Sequence, residues 1–290
     1  VNGLARQKLS MLNPDETHIW AAPLGGRTHR DAVGQTSEVH STLYGALFGA
    51  SFSPTTDWTI GGQIAVYERK DKADGAFEAD STGFELGAHA VWNSDTLTGL
   101  YAMGQVSLGF ADTEHDRQTS LDGTLSSDWT EFGASVWAQT GWQFETEFGN
   151  IGPFVGLEYN SVHRPSIDES STSAQALHVG GQTIDDVSAY LGLEFNRRTR
   201  SDTLDFALSA QAFWRHSFTD ETIRTDAAMA SYRSADVTSV IERQGADSIH
   251  LGASAQMQNK EGLSVTFSLS AEGNVHYNAL LGSVFLQKRF

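Results

Sequence analysis

Ten histidines, 36 acidic residues and a large stock of serines could supply catalysis, yet no spacing among them builds a reaction centre. No Gly-x-Ser-x-Gly nucleophile turn, His-Glu-x-x-His zinc pair, Walker phosphate loop or glycine-rich dinucleotide fingerprint occurs. The histidines are scattered, and Ser and Asp are frequent enough that a triad can be drawn almost anywhere. The chain has no cysteine, which excludes a disulfide framework and a thiolate metal site. Asp71, Asp74, Glu78 and Asp80 gather the oxygen donors that Ca²⁺ prefers. Such a run is more commonly a solvated loop. No catalytic residue, metal or cofactor is expected, and the chain is not read as an enzyme.

The ionisable residues that do fall into a pattern are of another kind. Glu85, Glu131, Glu158 and Glu194, together with Arg215, stand on the polar face of segments that alternate apolar and polar side chains. They are read as lining a pore. Residues 1–13 carry Arg6 and Lys8 and no acid. A basic segment inside an acid-lined pore is held more firmly than a surface ion pair, because the lumen is partly screened from bulk water. An inward Glu can also simply hydrate the pore.

The elements that position these groups are strands. Residues 187–195 put Val187, Ala189, Leu191, Leu193 and Phe195 on one face and Ser188, Tyr190, Gly192 and Glu194 on the other. Strict alternation marks a strand between an apolar and a polar medium. The same pattern recurs at 43–52, 58–67, 83–92, 100–110, 130–144, 151–160, 204–214, 249–257, 263–272 and 279–290, and more weakly at 18–27, where Pro23 interrupts it. The result is about twelve strands, each near the 9–11 residues that cross a bilayer at a tilt.

A soluble sandwich alternates as well. Here, however, the polar face is rich in Gly, Ser, Gln and Glu, and the connections alternate short and long. Short ones lie at 53–57, 93–98, 146–150, 198–202 and 259–262; long polar ones are expected at 69–81, 112–127, 163–185 and 218–246. This alternation is the pattern of outer-membrane barrels. Trp58, Trp92, Phe110, Trp129 and Trp214 stand at strand ends and are read as interfacial girdles. Small residues such as Gly133, Ser135, Gly156, Gly192, Ser254 and Ser268 are expected to widen the lumen.

Composition narrows the field in the same direction. The net charge of −17 argues against nucleic-acid binding and against polybasic docking on anionic lipid. No apolar run approaches the roughly 18 residues of a transmembrane helix. No basic-then-apolar start follows Val1, so no signal peptide is visible. Leu4, Lys8, Met11 and Leu12 have helical spacing, and Asn13-Pro14-Asp15 ends any helix there. The fold expected is all-β, a transmembrane antiparallel barrel of about twelve strands over 17–290, with a short helix inside the pore drawn from 1–16.

Several blocks resemble the C-terminal translocator domain of classical (type Va) autotransporters. They are the first strand with Trp20, Tyr44-Gly45-Ala46-Leu47-Phe48-Gly49-Ala50, Gly83-Phe84-Glu85-Leu86-Gly87 running to Trp92, Gly99-Leu100-Tyr101-Ala102, Gly152-Pro153-Phe154, and the end from Leu280 to Phe290. Gly282, Val284, Leu286 and Phe290 resemble the terminal signal read by the barrel-assembly machinery, with Lys288 standing where an aromatic is common. The resemblance implies both chain ends of the barrel in the periplasm, a helix in the pore, and a signal peptide and passenger upstream of Val1. It also implies a bacterial outer-membrane location and a monomer whose partners are its own passenger, outer-membrane lipid and lipopolysaccharide, the assembly machinery and periplasmic chaperones. Some members release the passenger through an Asn pair in the plug helix. Val1-Asn2-Gly3 lacks that pair, so self-cleavage is not carried over. A diffusion porin and an outer-membrane barrel enzyme are the alternatives.

Overall fold

The computed structural model describes residues 17–32, 36–94, 96–121, 123–169, 173–219, 222–230, 232–242 and 245–290. All regular structure among them is β-strand. In chain order the strands are β1 (His18–Arg30), β2 (Val39–Phe52), β3 (Trp58–Ala73), β4 (Phe77–Asn93), β5 (Leu100–Thr119), β6 (Gly123–Trp142), β7 (Phe144–Thr146), β8 (Gly149–Arg164), β9 (Ile167–Asp168), β10 (Leu177–Val179), β11 (Gln182–Arg200), β12 (Leu204–Ser217), β13 (Thr222–Met229), β14 (Tyr232–Glu242), β15 (Asp247–Asn259), β16 (Leu263–Gly273) and β17 (Tyr277–Arg289). The expected plug segment 1–16, with Arg6 and Lys8, lies outside the described residues.

Thirteen strands share one antiparallel sheet, and β7 is a three-residue stub pairing only with β8. The remaining twelve close into a barrel where β17 pairs with β1, from His18↔Arg289 to Arg30↔Tyr277. Closure leaves the barrel no free edge. An even strand count returns the chain to the end where it began: the Phe290 amide donates to the Thr17 carbonyl at 3.0 Å. The closing seam has a gap. Ala22 and Pro23 make no pair with β17, although the register is the same on either side. Pro23 has no N–H to give.

Side chains alternate as the hydropathy pattern requires. Ile64, Val66, Leu86, Val106, Leu108, Leu191 and Leu193 all face outward and exposed, a band that only lipid would tolerate. Trp58 and Trp92 are cross-strand partners on this outer face, and Phe110 and Trp214 lie there too. Trp129 does not join the girdle. It sits among inward-alternating residues, with the Arg164 guanidinium 5.9 Å above its ring.

The inner face is less uniformly small than the composition of its polar positions suggests. Val91, Tyr101, Met103, Trp137, Phe154, Tyr190 and Phe213 form one buried cluster on the wall from β4 to β12. Trp20, Ala22, Leu24, Leu47, Ala65 and Phe285 form another across the seam. Glycines make room for these rings. A Cβ at Gly49 would lie within the Trp20 indole, and one at Gly156 within the Tyr190 ring. Gly156 therefore seats an aromatic rather than widening the pore.

Two of the expected long loops are strand. Residues 69–81 and 112–127 continue the hairpins β3–β4 and β5–β6, the first to a tight turn at 74–76 and the second to the pair Thr119↔Gly123. Beyond the lipid-facing band the outward positions carry Lys70, Lys72, Glu78 and Asp80 in water while the inward Ala73, Ala79, Leu125 and Ser127 stay buried, so the apolar-out alternation stops while the backbone ladder goes on. Lys70 faces Asp80 at 3.1 Å and Lys72 faces Glu78 at 2.8 Å. Two of the acids read as a solvated run, Glu78 and Asp80, are thus paired with lysines across the hairpin. Segments 163–185 and 218–246 hold a second, four-stranded sheet in the order β14-β13-β10-β9.

Candidate functional site

The lumen contains a cavity of about 580 Å³. Its wall is built by the inward residues of strands all round the barrel. Glu85 on β4, Glu131 on β6, Glu158 on β8 and Arg215 on β12 line it together, as their alternation predicts. Glu194 does not. It is 3% exposed and accepts hydrogen bonds from Gln143 (Nε2 to Oε1, 2.8 Å) and Tyr101. Gln139 in turn donates to the Tyr101 hydroxyl at 2.9 Å. Glu194 therefore belongs to the polar rim of the aromatic cluster, a packed wall rather than an open channel.

Two further cavity residues, Arg69 and Glu272, are not among those named as pore-lining, although alternation over 263–272 puts Glu272 on the polar face. Arg69, in a stretch read as loop, turns inward between Asp71 (2.9 Å) and Glu131 (3.6 Å). Glu272, the last inward position of β16, lies 3.7 Å from Arg215 and accepts from the Ser248 hydroxyl at 2.9 Å. Arg215 also donates to Asp186 at 2.5 Å, and Asp186 accepts from Ser188 and Ser217 at 2.6 and 2.5 Å. The two arginines are thus held to the wall by carboxylates. Glu85, Glu131, Glu158 and Glu272 outnumber them around the cavity, so the pore presents an acidic lining crossed by two fixed guanidinium groups. Where the wall lowers the local dielectric the Coulomb attraction of these pairs exceeds that of surface pairs, while each ion also gives up hydration.

Outside the membrane-crossing part, the Lys72 pKa is raised by its hydrogen bond to Glu78. At the same outer end, Arg117 on β5 holds Glu169 between β9 and β10 through paired hydrogen bonds of 2.7 Å. It also donates to the Gln175 carbonyl at 2.8 Å.

The family model described as the autotransporter beta-domain matches residues 19–270, most of this barrel. The chain belongs to that family. As an autotransporter β-domain it resides in the bacterial outer membrane. Its fold is similar to the translocator domain of autotransporter NalP from Neisseria meningitidis, with a TM-score of 0.81 at 16% identity, covering 100% of this chain and 95% of that one. It is also similar to the beta domain of the Bordetella autotransporter BrkA, with a TM-score of 0.67 at 16% identity, covering 95% and 100%. An extracellular serine protease of Serratia marcescens is 22% identical over 218 residues, which are 73% of this chain and 20% of that protein. The chain thus spans about a fifth of the length of that relative.

On the autotransporter barrel the terminal residues have defined places. Gly282, Val284 and Leu286 form an outward row on β17, and Phe290 follows it, 73% exposed. The intervening residues point inward: Phe285 meets Trp20 edge to face at 5.8 Å between centroids, and Gln287 contacts His18 Nδ1 at 2.7 Å. The last strand therefore offers one face to lipid and closes the lumen with the other.

Proposed function

We propose that this barrel anchors and exports a passenger carried N-terminal to it, delivering it to the bacterial cell surface. The observation that carries the reading is the closed twelve-stranded wall around an acid-lined cavity of about 580 Å³. A pore of this kind suits one helix, roughly 10–12 Å across with side chains, or an extended chain. Family membership supports the same role. The barrel is assigned no catalytic step of its own.

In this reading residues 1–13 enter the lumen as a helix, and Arg6 or Lys8 faces Glu131 or Glu158. The row Gly282, Val284, Leu286 and Phe290 serves assembly, with the barrel-assembly machinery and periplasmic chaperones as partners. Outer-membrane lipid and lipopolysaccharide surround a monomer.

Fusing a reporter upstream of Val1 behind a signal peptide tests export. Protease-accessible reporter on intact cells is expected; reporter retained in the periplasm beside a correctly inserted barrel would overturn the proposal. Planar-bilayer recordings test the plug. Removing residues 1–13 should raise single-channel conductance, and equal conductance with and without them would favour a diffusion porin.

A further inference from the structure

At the rim farthest from the chain termini, the β1–β2 register sets His29 directly opposite His40. Their Nδ1 atoms are 3.3 Å apart. Glu38 places Oε1 3.0 Å from His40 Nε2 and 3.6 Å from His29 Nδ1. One nitrogen from each histidine and one Glu38 oxygen all lie within 4.8 Å of one another. Zinc bonds of about 2.0–2.1 Å in a tetrahedron separate neighbouring ligand atoms by roughly 3.3–3.4 Å. His29 Nδ1 stands 3.3 Å from His40 Nδ1 and 3.6 Å from Glu38 Oε1, near that spacing, whereas the 3.0 Å contact of the Glu38 oxygen is with the other His40 nitrogen, Nε2.

A second contact orients the cluster. His29 Nε2 lies 3.1 Å from Asp31 Oδ1. An Nε2–H donated to that carboxylate leaves Nδ1 of His29 unprotonated and free to ligate, 3.3 Å from His40 Nδ1 and 3.6 Å from Glu38 Oε1. A metal-bound histidine is oriented in the same way when its other nitrogen donates to a carboxylate. The two side chains are 31% and 59% exposed, so an ion has a path in from solvent.

We propose that His29, Glu38 and His40 form a binding site for a zinc-class transition-metal ion, with water completing the tetrahedron and Asp31 holding His29 in place. Two imidazoles and one carboxylate suit Zn²⁺, whereas Ca²⁺ and Mg²⁺ require a fuller set of oxygen ligands. The ion ties β1 to β2 beside the seam, where the Asp31 amide already donates to the His276 carbonyl at 2.8 Å.

The test uses the complete chain, free of affinity tags and folded in detergent micelles. Calorimetric titration with Zn²⁺ should show one saturable equivalent. His29→Ala and His40→Ala should each weaken it at least tenfold, and Asp31→Asn by roughly ten- to a hundredfold, the range for lost orienting partners. Co²⁺ should give the intense visible bands of a tetrahedral site in the wild type and lose them in the variants. Gel mobility before and after boiling confirms that each barrel is folded; should an alanine variant fail to fold, His40→Gln replaces it at the more exposed position. Zinc affinity unchanged in the folded variants, no saturable equivalent in the wild type, or an octahedral Co²⁺ spectrum would each overturn the proposal.

Discussion

Arg117 grips Glu169, 52 residues further along the chain, through two hydrogen bonds of 2.7 Å. The same carboxylate accepts the Leu177 amide at 2.8 Å. One ion pair thereby fastens the loop carrying β9 and β10 onto the tall β5–β6 hairpin. Arg117→Met leaves the buried Glu169 side chain without its main donor, which costs about 1–3 kcal/mol. Limited proteolysis should then cut within 165–181 faster than in the wild type, while the barrel keeps its mobility before boiling. Equal cleavage rates would mean that the loop is held elsewhere.

The outward band makes a second prediction. Val106 stands mid-strand on the lipid face, four residues from the girdle residue Phe110. Replacing it with Arg should destabilise the barrel in lipid vesicles by about 2–4 kcal/mol, the depth-dependent cost of a charge near the bilayer midplane. The neighbouring inward position tells the faces apart: Ser107→Ala should shift the unfolding midpoint far less. Similar losses at both positions would deny the inside-out arrangement.

Conduction separates the two kinds of inward acid. Glu85, Glu131 and Glu158 face the cavity, while Glu194 sits in the packed wall. Gln at the first three positions together should reduce the preference for cations over anions in bilayer recordings. Glu194→Gln, which keeps an acceptor for Gln143, should leave that preference unchanged. A selectivity change in Glu194→Gln alone would put it in the ion path.

The alternation of apolar and polar residues revealed all twelve staves because it is imposed by two different media. Where that difference ends, the signal ends. Lys70 to Lys72 and Glu78 to Asp80 form a regular ladder, yet its outward face is charged and meets water instead of lipid, and it reads as loop. Inside the barrel, parity located Glu194 on the inner face but carried no word of depth or of the aromatic neighbours that cover it. The pairing of His29 with His40 depends on register across a connection of uncertain length, which composition does not encode.

Ring packing at the seam yields a fourth prediction. Trp20 covers Gly49 and meets Phe285 edge to face. Trp20→Ala empties a fully buried site and should cost about 3–5 kcal/mol, read as a lower unfolding midpoint in detergent. A midpoint within experimental error of the wild type would show that the cluster does not stabilise closure.

Assembly in cells gives the fifth. Deleting Phe290, or replacing Leu286 and Phe290 with Asp, should lower the amount of barrel recovered in outer-membrane fractions. Undiminished levels would remove the terminal row from any role in insertion.

The seam between β1 and β17 also dictates the order of events in folding. Every other stave pairs with a neighbour close in the chain, but His18 and Gln287 lie 269 residues apart. The entropy of bringing such distant ends together opposes closure until the remaining hairpins have shortened the effective loop. The missing ladder bonds at Ala22 and Pro23 remove part of the reward at that same junction. The barrel is therefore expected to dwell as an open, curled sheet whose two unpaired margins belong to its first and last strands, and its rate of zipping shut should be set by the residues flanking Pro23.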